Sequence, residues 1–244
     1  MTDNEPTMDS KTQNAGSMET AVNILTAPRE AFAALDARPT KLFPLALILI
    51  STMLATGWYF MILDYDWYID DTLGQVPNLT AEQLENARDT MASISQNNMT
   101  YIGIFGSAFS LLFMYVLQAG YLSLVSALKG DKYRFSHWFS LVCWTSLPYL
   151  LVVISMVVNI TLNPNGQLSA YDLNALSLAN LGMQSGNASL NQALSSLNLT
   201  MFWSLALVVM AYRQWLDSGL LKAMAVVLAP YLLIFGVWAY FALT

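Results

Sequence analysis

The chain has 244 residues, of which 56% are hydrophobic and only 11% charged, with a formal net charge of -6. A soluble globular chain carries roughly 25% charged residues and cannot hide this much apolar surface in its own core. The composition therefore excludes a soluble globular enzyme and makes lipid the solvent for most of the chain. The single cysteine, Cys143, excludes an internal disulfide framework, and its apolar setting makes it a small hydrophobe.

Residues 1–17 are polar and acidic, without the apolar run of a signal peptide, and read as a disordered tail. Residues 18–39 form an amphipathic pre-membrane segment in which Val22, Leu25, Phe32 and Leu35 fall near helical spacing, with Arg29, Glu30 and Asp36 between them. Thr26 is expected to cap a helix whose first turn contains Pro28. The segment is too short and too charged to span, so it is expected to lie at the headgroup level, apolar side down.

The membrane domain, residues 40–244, is expected to be an all-α bundle of five spans. The first covers 43–63, roughly 21 residues or about 32 Å, enough for a ~30 Å hydrocarbon core. An outer loop, 64–100, follows. It opens on Asp64, Asp66, Asp70 and Asp71, and Thr80 with Gln83 has the spacing of a capping box for a short helix over 81–95.

The second span, 101–128, contains two small-xxx-small pairs, Gly103 with Ser107 and Gly106 with Ser110, and both are expected to let helices approach closely. The third, 138–162, carries Pro148 near its middle, where a kink frees the carbonyl near Trp144 and Thr145 and Ser146 are placed to satisfy the freed groups. A second outer loop, 163–198, is rich in Asn, Ser and Gly, with short helices expected around 170–181 and 189–197. The fourth span, 199–213, is the shortest. The fifth, 223–243, carries a second kink residue, Pro230.

Lys and Arg sort by side. The chain has ten, and with five crossings only Arg88 falls on the face opposite the rest. The positive-inside rule then puts the N-terminus in the cytoplasm and Thr244 outside. No span holds an ionisable residue at its middle, which argues against a proton pump or a charge-lined channel. The interior polar residues Gln118, Ser123, Ser126, Thr145, Ser146, Ser155 and Ser204 are expected to hydrogen-bond between helices.

The only histidine, His137, has no nucleophile or orienting partner in prospect. One His and one Cys cannot build a soft metal site, and the aspartates after the first span lack the spacing of a calcium loop. The sequence thus predicts no catalytic residue, no cofactor and no metal. The expected working surface is cytoplasmic: Arg29, Phe32, Lys132, Arg134 and Arg213. Its expected partners are membrane lipid and a protein or a second copy of the chain, not nucleic acid.

Three stretches carry a resemblance to a known family. "NILTAPREAFAAL" (Asn23 to Leu35), "FSHWFSLVCWTSLPYLL" (Phe135 to Leu151) and "FWSLALVVMAYRQWLDSGLLKAMAVVLAPYLL" (Phe202 to Leu233) are similar to the pre-membrane segment, the third span and the closing hairpin of the Yip domain family. The resemblance implies five helices, a cytoplasmic N-terminus and no enzymatic activity. The family's eukaryotic members interact with Rab-type GTPases. The long outer loops look more like bacterial relatives, which implies an inner (plasma) membrane and carries no GTPase partner over. The function expected from this reading is to organise the bilayer or recruit partners to it. A small carrier, channel or lipid-moving protein is the alternative.

Overall fold

The computed structural model describes residues 16–76 and 79–243. The polar tail expected over 1–17 lies outside the described residues apart from Gly16 and Ser17, and so do Lys11 and Thr244. Among the described residues there are helices and no strand, only an isolated bridge between Ser177 and Asn198.

The pre-membrane segment folds as two helices, α1 (Ser17–Thr26) and α2 (Pro28–Ala37). Pro28 opens α2, where its missing N–H leaves nothing unpaired. Thr26 is not the cap. Its hydroxyl donates back to the Val22 carbonyl at 2.9 Å, and Ala27 takes the N-cap position without a side-chain bond. Then come α3 (Leu42–Ile62), α4 (Tyr65–Gly74), α5 (Ala81–Ala92), α6 (Gln96–Lys129), α7 (Phe135–Thr145), α8 (Leu150–Leu162), α9 (Ala188–Ser196), α10 (Leu199–Leu216) and α11 (Leu220–Leu243).

Four of these stretches are long and apolar enough to cross a membrane: Leu42–Ile62, Gln96–Lys129, Phe135–Leu162 and Leu220–Tyr240. The stretch Phe135–Leu162 is 56% buried within the chain, whereas the stretch in α11 is only 11% buried. Leu232, Leu233, Ile234 and Val237 of α11 are exposed. Side chains this apolar stay exposed at low cost only where the surroundings are also apolar.

The two membrane prolines act differently. Pro148 lies in a 3-10 turn, Leu147–Tyr149, that separates α7 from α8. Just before it, the Thr145 hydroxyl donates to the Leu141 carbonyl at 2.9 Å and the Ser146 hydroxyl to the Val142 carbonyl at 2.7 Å. These bonds stay within one helix. Ser155 donates to Val152 at 2.9 Å and also reaches the Leu173 carbonyl, in the turns beyond α8, at 3.4 Å. The expectation of bonds between helices fails at Thr145 and Ser146 because a hydroxyl in a helix has the carbonyl one turn back in reach. Pro230, by contrast, lies inside α11, which runs on through it.

The chain divides into two compact units. The first comprises Met1–Ala46, Tyr115–Leu147 and Leu205–Val227; the second comprises Leu47–Met114, Pro148–Ser204 and Leu228–Thr244.

In the second unit, Tyr59, Phe60 and Leu63 of α3 pack with Ile160 and Leu168. Gln96 donates its side-chain amide to the Phe60 and Leu63 carbonyls at 3.0 and 2.9 Å, filling groups that the end of α3 leaves unpaired. The segment expected as an outer loop over 64–100 is largely helical. Asp64 caps α4 by accepting from Trp67 N at 3.2 Å, and Thr80 and Gln83 form the capping box of α5. Arg88, the one cation off the basic side, pairs with Asp70 at 3.1 Å. Of the two helices expected in the second outer loop, α9 is present. Residues 170–181 form consecutive turns instead, held by Asn180, whose amide donates to the Tyr171 and Asn174 carbonyls.

The small-residue pairs divide. A Cβ on Gly103 would lie 2.3 Å from Cε2 of Phe60, so this glycine is the close-approach point of α3 and α6. Gly106 has nothing within 4 Å of that position, and both Gly106 and Ser110 are exposed. The second pair is therefore not a packing site within the chain, because residues three apart on a helix point about 60° from one another and only one of them meets α3.

Candidate functional site

The five residues expected to form the working surface all belong to the first unit. At its centre is α7, in which every residue from Trp138 to Thr145 is buried. Cys143 is among them as a free thiol. Around Trp138 gathers a group of rings: Trp215 at 5.3 Å, Tyr212 at 5.9 Å and Tyr133 at 5.9 Å between centroids. Tyr133 in turn stacks on Trp215 at 4.8 Å, with the planes 11° apart.

This ring cluster fastens α2. The Trp215 indole N–H donates to the Phe32 carbonyl at 3.0 Å, and the Gln214 amide donates to the Arg29 carbonyl at 2.9 Å. Phe32 itself is 0% exposed. It anchors α2 into the unit and is not on the surface, which corrects the expectation. An aromatic ring on an amphipathic helix goes to whichever apolar neighbour is nearest, and here that is protein.

Arg29, one turn away, is exposed, as are Lys132, Arg134 and Arg213. Lys132 pairs with Asp36 at 3.0 Å, linking the turn between α6 and α7 to α2. That turn is shaped by Asp131, which accepts from Tyr133 N at 2.9 Å and from the Ser126 hydroxyl. Burial, then the nearby Asp36 carboxylate, pushes the Tyr133 phenol up to about 12. Arg134 directs its backbone N–H to Nδ1 of His137 at 3.4 Å. His137 thus takes the place of Glu or Gln in a capping box. Lys129 bonds the buried Tyr212 hydroxyl.

On α1, Ile24 and Thr20 are buried, while Met18, Val22 and Leu25 are 69%, 53% and 45% exposed. Their spacing of four and three residues makes one apolar stripe along the helix. The charges are divided between the units. Arg29, Arg38, Lys41, Lys129, Lys132, Arg134, Arg213 and Lys222 lie in the first; of the described cations only Arg88 lies in the second. The second holds Asp64, Asp66, Asp70, Asp71, Glu82, Glu85, Asp89 and Asp172.

Two participants escaped the sequence reading. They are Trp215 and Tyr133, to which the sequence analysis assigned no role. The cue was the run of aromatic and basic residues at the two short turns, Tyr133 with Arg134 and Tyr212 with Arg213. Among the described residues, no group of three or more His, Cys, Asp or Glu is placed to hold a metal ion.

Helices of this length and apolarity, with all but one of the described cations in one unit, define a multispan helical membrane protein. The model of the Yip1 domain matches residues 22–241, nearly the whole chain. The chain belongs to the Yip1 domain family. No curated protein and no solved structure matches it.

Proposed function

We propose that this is a non-enzymatic protein of the bacterial inner membrane, threaded five times with its N-terminus in the cytoplasm, that recruits a protein partner or a second copy of itself to the cytoplasmic face. The crossing added to the four long apolar stretches is α10, fourth in chain order, which is 18 residues long and carries Arg213 near its end. With α10 crossing, Arg213 and Lys222 fall on the same side as Arg29, Lys132 and Arg134, as positive-inside sorting favours.

One observation carries the proposal: the exposed stripe Met18, Val22 and Leu25 on the unit that gathers the cations. A helix with that stripe lies in the headgroup layer, and each neighbouring Lys or Arg adds about 1 kcal/mol of attraction to anionic lipid. Arg29, Lys132, Arg134 and Arg213 are then displayed at the membrane surface on a unit held rigid by Phe32, Trp138 and Trp215.

Crosslinking in cells followed by purification in gentle detergent tests it. A specific partner or oligomer is expected, diminished by Arg29→Glu together with Arg134→Glu. Recovery of the bare monomer alone refutes the recruiting role. Reporters fused to the two ends are expected in different compartments, and finding both in one would refute the threading.

A further inference from the structure

The second unit contains a cavity that the recruiting role does not use. Its volume is about 490 Å³, and its walls come from the end of α4, the turns of 169–184 and α9. That size lies within the ~300–1,000 Å³ of small-molecule sites. Such sites are ordinarily lined by apolar side chains; here ten of the twelve lining residues carry a polar or charged side chain, the others being Gly74 and Ala179. We propose that it binds a neutral, polyhydroxylated ligand of the saccharide class.

The wall is built before any ligand arrives. Ser169 donates to Asp71 at 2.8 Å and accepts from the Gln75 amide at 3.1 Å. Asn180 spends both N–H bonds on the Tyr171 and Asn174 carbonyls, at 2.9 and 3.0 Å, so it holds the wall in shape. The Gln192 amide reaches the Tyr171 hydroxyl at 3.4 Å, tying α9 to the turns. Fixed polar walls of this kind lose little entropy when a ligand enters.

The lining selects by exclusion. It contains no Lys, Arg or His, so a phosphate or carboxylate meets no counter-charge. No Leu, Ile, Val, Phe or Met lines it to receive a lipid tail. Asp172 is its one carboxylate, and among the described residues no group of three or more His, Cys, Asp or Glu is placed to hold a metal ion. Sugar hydroxyls both donate and accept. Gln184 and Gln192 match both roles, Asp172 accepts from paired hydroxyls, and the Tyr171 ring offers the aromatic surface against which a sugar's C–H groups pack.

Saturation-transfer NMR on the full chain in lipid nanodiscs tests the assignment. Maltoside and glucoside detergents must be avoided, because their headgroups are saccharides. The probes are glucose and maltose, with methyl phosphate, whose methyl protons report transfer, as the anionic arm and choline as the cationic arm. Saturable transfer to a saccharide at millimolar concentration is expected, with none to methyl phosphate.

Gln184→Leu and Asp172→Asn should each weaken saccharide binding about 3- to 10-fold, the value of one hydrogen bond. Gln184 is exposed in its loop, so this variant leaves the fold in place, which an unchanged thermal midpoint without ligand would verify. Three results overturn the proposal: no saccharide response in the wild type, undiminished binding in folded Gln184→Leu, or stronger transfer to choline than to either sugar. Loss of saccharide binding would leave the crosslinked partner unaffected, so the two readings fail separately.

Discussion

Pro230 makes a quantitative test of the fold possible. A proline inside a helix has no N–H for the carbonyl four residues back, and in α11 that carbonyl belongs to Val226. The Tyr121 hydroxyl donates to the Val226 oxygen at 2.8 Å. The bond thus fills a gap that the proline creates. Hydrogen bonds between membrane helices measure about 0.6 kcal/mol on average and about 1.7 at most. Removing the donor here also strands an acceptor that has no helical partner, so Tyr121→Phe should fall toward the upper end, at about 1–1.5 kcal/mol.

In a Pro230→Ala background, the substituted alanine supplies its own N–H to Val226, and the same Tyr121→Phe change should then cost only about 0.3 kcal/mol. The coupling, about 1 kcal/mol, exceeds the ~0.3–0.5 kcal/mol by which independent sites depart from additivity. The four proteins of this cycle would be compared by reversible unfolding in mixed micelles, followed through tryptophan fluorescence. An equal cost of Tyr121→Phe in both backgrounds refutes the reasoning, since it would show that Tyr121 does not serve the proline gap.

Five more outcomes follow from particular positions. Gly103→Ala should destabilise by about 1–3 kcal/mol because its Cβ meets the Phe60 ring at 2.3 Å, whereas Gly106→Ala, with open space, should stabilise α6 by up to about 1 kcal/mol; the same unfolding assay separates them. Gly166 sits at φ +72° with Ile62 O only 2.2 Å from any Cβ, and its carbonyl accepts from Asp64 N at 3.0 Å. Gly166→Ala should therefore cost more than about 2 kcal/mol and open 163–187 to protease, while Gly130→Ala, at the same φ in open space, should cost only about 1–2 kcal/mol. Asp217 holds φ 44° at the turn after α10, so Asp217→Gly should raise the thermal midpoint, the gain being about 1 kcal/mol.

The last prediction concerns acid. Bonds from Gln167 and then from Trp67 N hold the Asp64 carboxyl below its ordinary range. A carboxyl lowered in the folded state contributes stability above its unfolded pKa and loses it as pH falls through the folded one. Protection of the Trp67 amide, its exchange rate relative to the intrinsic rate at each pH, should accordingly fall below about pH 4, where an unfolded Asp protonates, and Asp64→Asn should remove most of that dependence.

What the residues decide alone is local or additive. Runs of apolar residues of sufficient length, the placement of Lys and Arg, Pro28 at the start of α2, and the Thr80–Gln83 box are each written in neighbouring positions. Together they made the helical membrane class and its family legible before any coordinates. The tertiary structure decided which face of each helix meets protein. It put Phe32 inside, gave Gly103 a neighbour and Gly106 none, let Pro148 separate two helices while α11 runs on through Pro230, brought Tyr121 to Val226, and folded 163–187 around a polar cavity. The reason is that lipid is as apolar as leucine. In water, hydrophobicity marks the buried side of a helix; in a bilayer it marks both sides equally, so only packing and hydrogen bonds between distant residues distinguish them.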